Sequence, residues 1–260
     1  MTQEQINKIL ASHKEWMKGT GVERADLRGA DLRGANLWDA DLRDADLRDA
    51  DLRDANLYGA DLCGADLRDA DLRVADLRDA NLRDADLCGA DLRDADLRVA
   101  DLRDANLRDA DLRDANLCDA DLRVANLCGA DLCVANLCGA DLRGVRHDER
   151  TAFYAMQCPE KGAYIGYKKA GGKIVELEIQ EDAKRSSATT RKCRASKAKV
   201  LSITSIDGEE HFEEAKSNYD NSFVYEVGET VEVKDFDENR WNECSAGIHH
   251  FITRGEAERY

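Results

Sequence analysis

The chain has 260 residues, 43% hydrophobic and 35% charged, with one proline, nine cysteines and a formal net charge of −16. Its length suits one repeat array plus a modest globular domain, and no apolar stretch approaches the roughly 20 residues that a membrane-spanning helix needs. So acidic a chain is not expected to bind nucleic acid or an anionic membrane directly, and it points instead to basic partners.

The start, MTQEQINKIL, lacks the basic-then-apolar pattern of a secretion signal, so a cytoplasmic protein with free thiols is expected. Residues 2–19, TQEQINKILASHKEWMKG, space Ile6, Ile9, Leu10, Trp16 and Met17 as on a helix. Thr2 and Gln5 can form a capping box, and Gly19 and Gly21 would stop the helix. An amphipathic helix within residues 1–24 is expected to cover the open end of the array that follows, whose backbone would otherwise be unpaired. His13 has no ligand partner nearby and is given no catalytic role.

From Ala25 to Gly144 the chain repeats Ala-Asp/Asn-Leu-X-X in one unbroken phase, with Leu at every fifth position from Leu27 to Leu142, 24 times in all. Five residues matches neither a helix, a coiled coil nor a strand. A chain that turns through a right angle at each repeat would place Leu and Ala inward and the other three positions outward. Four such turns close a 20-residue coil, and the 24 repeats make six coils.

The run resembles the pentapeptide-repeat proteins, and His13-Lys14-Glu15-Trp16-Met17 resembles their lead-in. The resemblance implies an all-β solenoid, a right-handed quadrilateral β-helix of six coils of four pentapeptides, behind an N-terminal capping helix and before a small α+β C-terminal domain.

The outward columns carry the charge. Asp stands before Leu seventeen times and Asn seven; Arg follows Leu sixteen times, Cys six, and Trp38 and Tyr58 once each; the last position is Asp twelve times, Gly eight and Val four. The rod thus has 29 aspartates against 16 arginines. With coils about 4.8 Å apart the excess is about one charge per 2.2 Å, beside about one per 1.7 Å for duplex DNA. The resemblance adds that several family members are acidic rods occupying the DNA-binding saddle of type II topoisomerases. The leading expectation is therefore a non-enzymatic DNA mimic without cofactor or metal, bound to a protein with a basic DNA-binding surface such as DNA gyrase. Its candidate binding residues are Asp49, Asp54, Asp69, Asp79, Asp94, Asp104, Asp109 and Asp114 on the rod, with Trp38 and Tyr58 as an aromatic patch.

Other readings stand beside it. Asp and Arg alternate and stack, so ladders of ion pairs, each worth little, could neutralise the rod. The protein would then be a phage-encoded scaffold or adaptor whose C-terminal domain sets specificity. Family members that protect topoisomerases carry loops between coils, which this run lacks. They also dimerise through their C-terminal ends, so a homodimer is an expectation, although here a further domain follows. Trp38 and Tyr58 read first as a seat for the capping helix and Trp16, and second as an interface anchor. The last coil, Ala125 to Gly144, loses charge and is expected to be covered. Cys118 and Cys138 share a wall one coil apart, within disulfide reach but expected as free thiols. Val74, Val99 and Val124 recur every 25 residues as a trace of repeat duplication.

After Val145, residues 145–162 read as a linker and 163–260 as the C-terminal domain. Strands are expected at Ala163–Lys169, Lys173–Ile179, Ala198–Thr204, Phe223–Val233 (turning at Gly228) and Gly247–Ile252, and short helices at Glu209–Lys216, Glu238–Trp241 and Gly255–Arg259. On residues 181–188, 191–194 and 241–251 this part resembles a domain of unassigned function that follows pentapeptide repeats in phage and prophage proteins. Enzyme activity here would rest on Cys244 with His249 as a thiol–imidazole pair. Zinc on Cys158, Cys193, Cys244, His249 and His250 fits no common spacing, and adjacent histidines on a strand face opposite ways. The basic stretch Arg185, Arg191, Lys192, Arg194 and Lys197 reads as a solvated loop, a partner for the acidic rod, or an anion site.

Overall fold

Backbone pairing in the array recurs at twenty residues. Asp26 bridges Asp46 in parallel, Asp31 bridges Asp51, and the series runs on to Asn126 with Arg146 and Asp131 with Ala152. The computed structural model describes residues 1–20, 23–220, 222–242 and 245–260, in two units, Met1–Ala155 and Met156–Tyr260.

A pentapeptide of the inner coils accounts for all five of its N–H groups, which buried backbone requires. In the repeat that starts at Asp51, Asp51 N–H donates to Ala30 O at 2.9 Å, Leu52 N–H to Asp71 O at 2.7 Å, and Asp54 N–H to Arg73 O at 3.1 Å. Ala55 N–H closes the turn onto Leu52 O at 3.0 Å. The fifth, Arg53 N–H, has no backbone partner and donates to the Asp51 carboxylate at 3.3 Å. That side-chain turn explains why the position before Leu is always Asp or Asn, the residues with a suitably placed oxygen. The interior is a β-solenoid core in which Leu27 through Leu137 are each at most 2% exposed.

The last position of all 24 repeats has φ between +51° and +75°. Gly and Asp tolerate this left-handed region, which accounts for twenty of the residues there. Val74, Val99, Val124 and Val134 occupy it too, although a β-branched side chain is strained there.

Helix α1, Gln3–Met17, has the expected Thr2–Gln5 capping box. Its side chains replace a missing coil. The Gln3 amide donates to Asn36 O at 2.8 Å and accepts from Asn36 N–H at 3.1 Å, as a neighbouring strand would. His13, fully buried, accepts from Ala25 N–H at 3.1 Å through Nδ1 and faces Arg43 O at 3.0 Å through Nε2. Trp16 stacks on His13 at 5.4 Å and does not find its seat on Trp38, which is 59% exposed. Gly21 lies outside the described residues. At the other end pairing continues into the segment expected as linker: Arg146 N–H donates to Ala125 O and Ala152 N–H to Ala130 O, both at 2.9 Å.

The second unit is antiparallel throughout. Strands β1 (Tyr164–Ala170), β2 (Lys173–Ile179), β5 (Lys197–Thr204) and β8 (Thr230–Glu232) form one sheet in that order; β3 (Arg185–Ser187), β4 (Cys193–Ala195) and β9 (Ile248–His250) form a second; β6 (Glu214–Lys216) and β7 (Val224–Glu226) pair alone. Helix α2, Arg254–Arg259, closes the unit. Val175, Leu177, Ile179, Val200 and Ile203 fill its core. Three expectations are corrected. The helix expected over Glu209–Lys216 is replaced by β6, and residues 238–241 are not helical, because short polar segments here pair by context rather than propensity. The segment Phe223–Val233 turns at Gly228, φ +88°, as expected, but its halves β7 and β8 join different sheets instead of pairing as a hairpin.

Candidate functional site

The aspartates of the array divide into two classes. Those before Leu hold the turn N–H, and fourteen of the seventeen are clipped by an arginine two residues on, Asp61, Asp86 and Asp131 having Cys there instead. Along one wall Asp31, Arg33, Asp51, Arg53, Asp71, Arg73, Asp91, Arg93, Asp111, Arg113 and Asp131 form an unbroken zipper. Its contacts are 2.5–2.7 Å within a repeat and 3.4–3.8 Å to the next coil. The guanidinium hydrogen bonds hold the carboxyls that an arginine clips below the usual range, down to about 2 at Asp26 and Asp141. Of the sixteen arginines, only Arg83 and Arg108 follow Asn rather than Asp.

The second class sits at the left-handed position, and all twelve of its members are exposed. Asp49, Asp54, Asp69, Asp79, Asp94, Asp104, Asp109 and Asp114 belong to it, with φ of +57° to +60°. Among the described residues Asp49, Asp54, Asp69, Asp94, Asp104 and Asp114 form no ion pair within 4 Å. Asp109 meets Arg108 at 3.3 Å and Arg150 at 3.2 Å, and Asp79 beside Tyr58 raises the pKa of its hydroxyl. Where the next coil offers a glycine, the carboxylate folds over it: an added Cβ at Gly59, Gly64 or Gly89 would meet Asp39, Asp44 or Asp69 oxygen at 2.4–2.6 Å. The column alphabets hold the signal that separates the classes. Asp alternating with Asn marks a side-chain acceptor, and Asp alternating with Gly marks left-handed backbone.

Trp38 is open to solvent, whereas the Tyr58 ring lies under Arg78 at 5.3 Å. Cys118 lies beside Cys138 and Asp119, and burial pushes its thiol up to about 11, so it is a poor nucleophile.

In the second unit the basic stretch is divided: Arg185 and Arg194 stand on β3 and β4, Arg191 and Lys192 lie in the connection between them, and Lys197 opens β5. Arg194, 2% exposed, donates to the carbonyls of Asp237, Ala246 and Asn239 at 3.0–3.1 Å. Arg185 donates to the carbonyls of Gly162 and Gln180, Arg191 pairs with Glu256, and Lys197 pairs with Asp182. Of the zinc candidates, Cys158, Cys193 and His250 do meet. His250 Nε2 accepts the Tyr164 hydroxyl at 2.9 Å, and Cys193, Tyr164 and Ser187 beside the Cys158 thiol lower its pKa while that of Cys193 is raised. Gly166 is packed on the His250 ring, where a Cβ would stand 2.5 Å from it. Among the described residues no three His, Cys, Asp or Glu side chains are placed to hold a metal ion. His249 faces away from this cluster and donates to Ser245 O at 2.9 Å; its proposed partner Cys244 lies outside the described residues.

Residues 23–57, 55–94, 80–119 and 115–146 match the family model for pentapeptide repeats, and residues 154–257 match a family of unknown function. A solved pentapeptide-repeat protein from Nostoc PCC 7120, alr5209, is 39% identical over 42% of this chain and 84% of its own, with a TM-score of 0.32. The chain belongs to the pentapeptide-repeat family. Rfr23 from the cyanobacterium Cyanothece 51142 is 41% identical over 35% of this chain and 61% of its own (TM-score 0.35). HetL from Nostoc sp. strain PCC 7120, involved in heterocyst differentiation regulation, is 40% identical over 48% and 62% (TM-score 0.34). The match thus spans about three fifths of the length of these last two. Among curated proteins nothing matches. No helix among the described residues is long and apolar enough to cross a membrane.

Proposed function

We propose that the array, wound as a right-handed quadrilateral of six coils, is a non-enzymatic cytoplasmic rod that mimics duplex DNA. It would occupy the basic DNA-binding surface of a protein partner, with DNA gyrase the first to test. One observation carries the reading: fourteen of the sixteen repeat arginines are spent on one class of aspartate, and of the other class Asp49, Asp54, Asp69, Asp94, Asp104 and Asp114 stand outward and exposed with no ion pair among the described residues. The zipper therefore trims the charge of the rod without cancelling it. Asp94 and Asp114 follow one another in a single column, as do Asp49 with Asp69 and Asp84 with Asp104. Coils stack at about 4.8 Å, so these columns present negative charge at a spacing comparable to that of phosphates, about 3.4 Å per strand.

The test is supercoiling by gyrase in the presence of the purified full-length chain. Inhibition is expected at micromolar protein and should weaken as salt rises from about 50 to 200 mM, since the contact is between surface charges. Absence of inhibition at that concentration removes gyrase as the partner.

A further inference from the structure

The second unit holds a cavity of about 620 Å³, within the range of about 300–1,000 Å³ typical of small-molecule sites. Lys168 reaches it from the middle of β1. Strand alternation puts Lys168 on the same face as Gly166 and Ala170, both buried, and its cross-strand partner Val175 is 0% exposed. A core-facing position of this sheet thus carries an ammonium group where an apolar side chain would fit. Among the described residues Lys168 has no hydrogen-bond or ion-pair partner. Lys192, also lining the cavity and 9% exposed, adds a second positive charge close enough to act on it. His249 on the same wall feels both lysines and Arg194.

An unpartnered charge in such a place costs stability unless something negative joins it. The rest of the wall says what the negative group is carried on. Phe223 meets Tyr225 edge-on at 5.3 Å, and Phe251 meets Tyr260 at 5.2 Å, so two aromatic pairs border the cavity. Aromatic walls favour a flat apolar body through stacking and area burial.

We infer that this cavity binds a small aromatic anion, its phosphate or carboxylate on Lys168 and Lys192 and its ring against Phe223 and Phe251. The inference is independent of the reading of the repeat array. Calorimetric titration of the full-length chain with phenyl phosphate, benzoate and inorganic phosphate tests it. Phenyl phosphate or benzoate should bind one site per chain, more tightly than inorganic phosphate. Lys168→Met should weaken that binding by about tenfold or more and Lys168→Arg by less, because only the latter keeps the charge. The relative strength of the two aryl anions distinguishes a phosphate from a carboxylate site. A measurement on the unaltered chain guards against misfolding of variants. Pyridoxal 5′-phosphate condenses with an uncharged amine, losing water, and borohydride reduces the imine; Lys168 should be labelled ahead of the exposed lysines, and phenyl phosphate should protect it. Binding that survives Lys168→Met, inorganic phosphate binding as well as the aryl anions, no heat from either aryl anion at millimolar concentration, or labelling without preference for Lys168 each overturns the inference.

Discussion

The array and the second unit treat positive charge in opposite ways. In the array every arginine of the repeats lies at the surface, and fourteen of the sixteen follow Asp at the same offset. In the second unit Arg194 and Lys192 are buried, and each cation has its own solution. A repeat satisfies its polar groups once and copies the answer. An aperiodic domain satisfies them one by one, and Lys168 is left over. That remainder is where chemistry unrelated to stability is to be sought.

The contrast can be broken most forcefully by making the same change in both regions. Arg194→Leu removes a buried guanidinium from the carbonyls of Asp237, Ala246 and Asn239, of which Asp237 O alone has no backbone donor among the described residues, so a loss of about 1–3 kcal/mol is expected. Arg93→Leu removes one link of an exposed zipper and should cost less than about 1 kcal/mol. Urea denaturation of each variant measures both, and equal losses would remove the distinction.

Alkaline pH probes the remainder itself. Burial and Lys192 bring the Lys168 amine down to about 8, below the roughly 10.4 of an unfolded lysine. Unfolding therefore takes up a proton between these values, the penalty is fully present below pH 8, and stability rises as pH climbs toward about 10.4. The other charges around the cavity are Lys169, Lys192, Lys234, Asp220, Glu232 and Asp235. Melting temperatures of the native chain and Lys168→Met should differ most at neutral pH, the variant being higher, and converge above pH 10. Parallel curves would mean that Lys168 is not held at a cost.

How much of this could be read in the chain itself follows the same division. The strict alternation of Leu and Ala at five residues specifies the solenoid, and Thr2 with Gln5 announces the cap. The two classes of aspartate are also written there, in what each column accepts besides Asp. By contrast Arg185-Ser186-Ser187 and Cys193-Arg194-Ala195 are three-residue strands with no apolar alternation, held by their neighbours. Lys168 beside Lys169 gives no hint of which faces inward until β2 sets the register. The meeting of Cys158, Tyr164, Cys193 and His250 depends on chain separations of up to 92 residues, beyond any local pattern.

The valines of the array sharpen the rule of copying. Val99 is 56% exposed with φ of +62°, so it carries strain and little packing. Val99→Gly should raise stability by about 1 kcal/mol, reversing the usual effect of glycine in regular structure. Thermal denaturation decides it, and a loss would mean that the valine side chain packs on its column.

The smallest effect on the fold should accompany the largest consequence for the proposed partner. Among the described residues Asp94, Asp104 and Asp114 hold no backbone N–H and form no ion pair, and Asn tolerates the left-handed region as Asp does. Replacing all three by Asn should therefore leave stability within about 0.5 kcal/mol per site. The same change at Asp91, Asp101 and Asp111 keeps the side-chain turn but strands Arg93, Arg103 and Arg113, making the rod less negative by an equal three charges. If binding depends on the exposed class, the first triple variant loses inhibition of supercoiling and the second retains more of it. If both lose equally, only total charge matters, and the division between columns is a matter of folding alone.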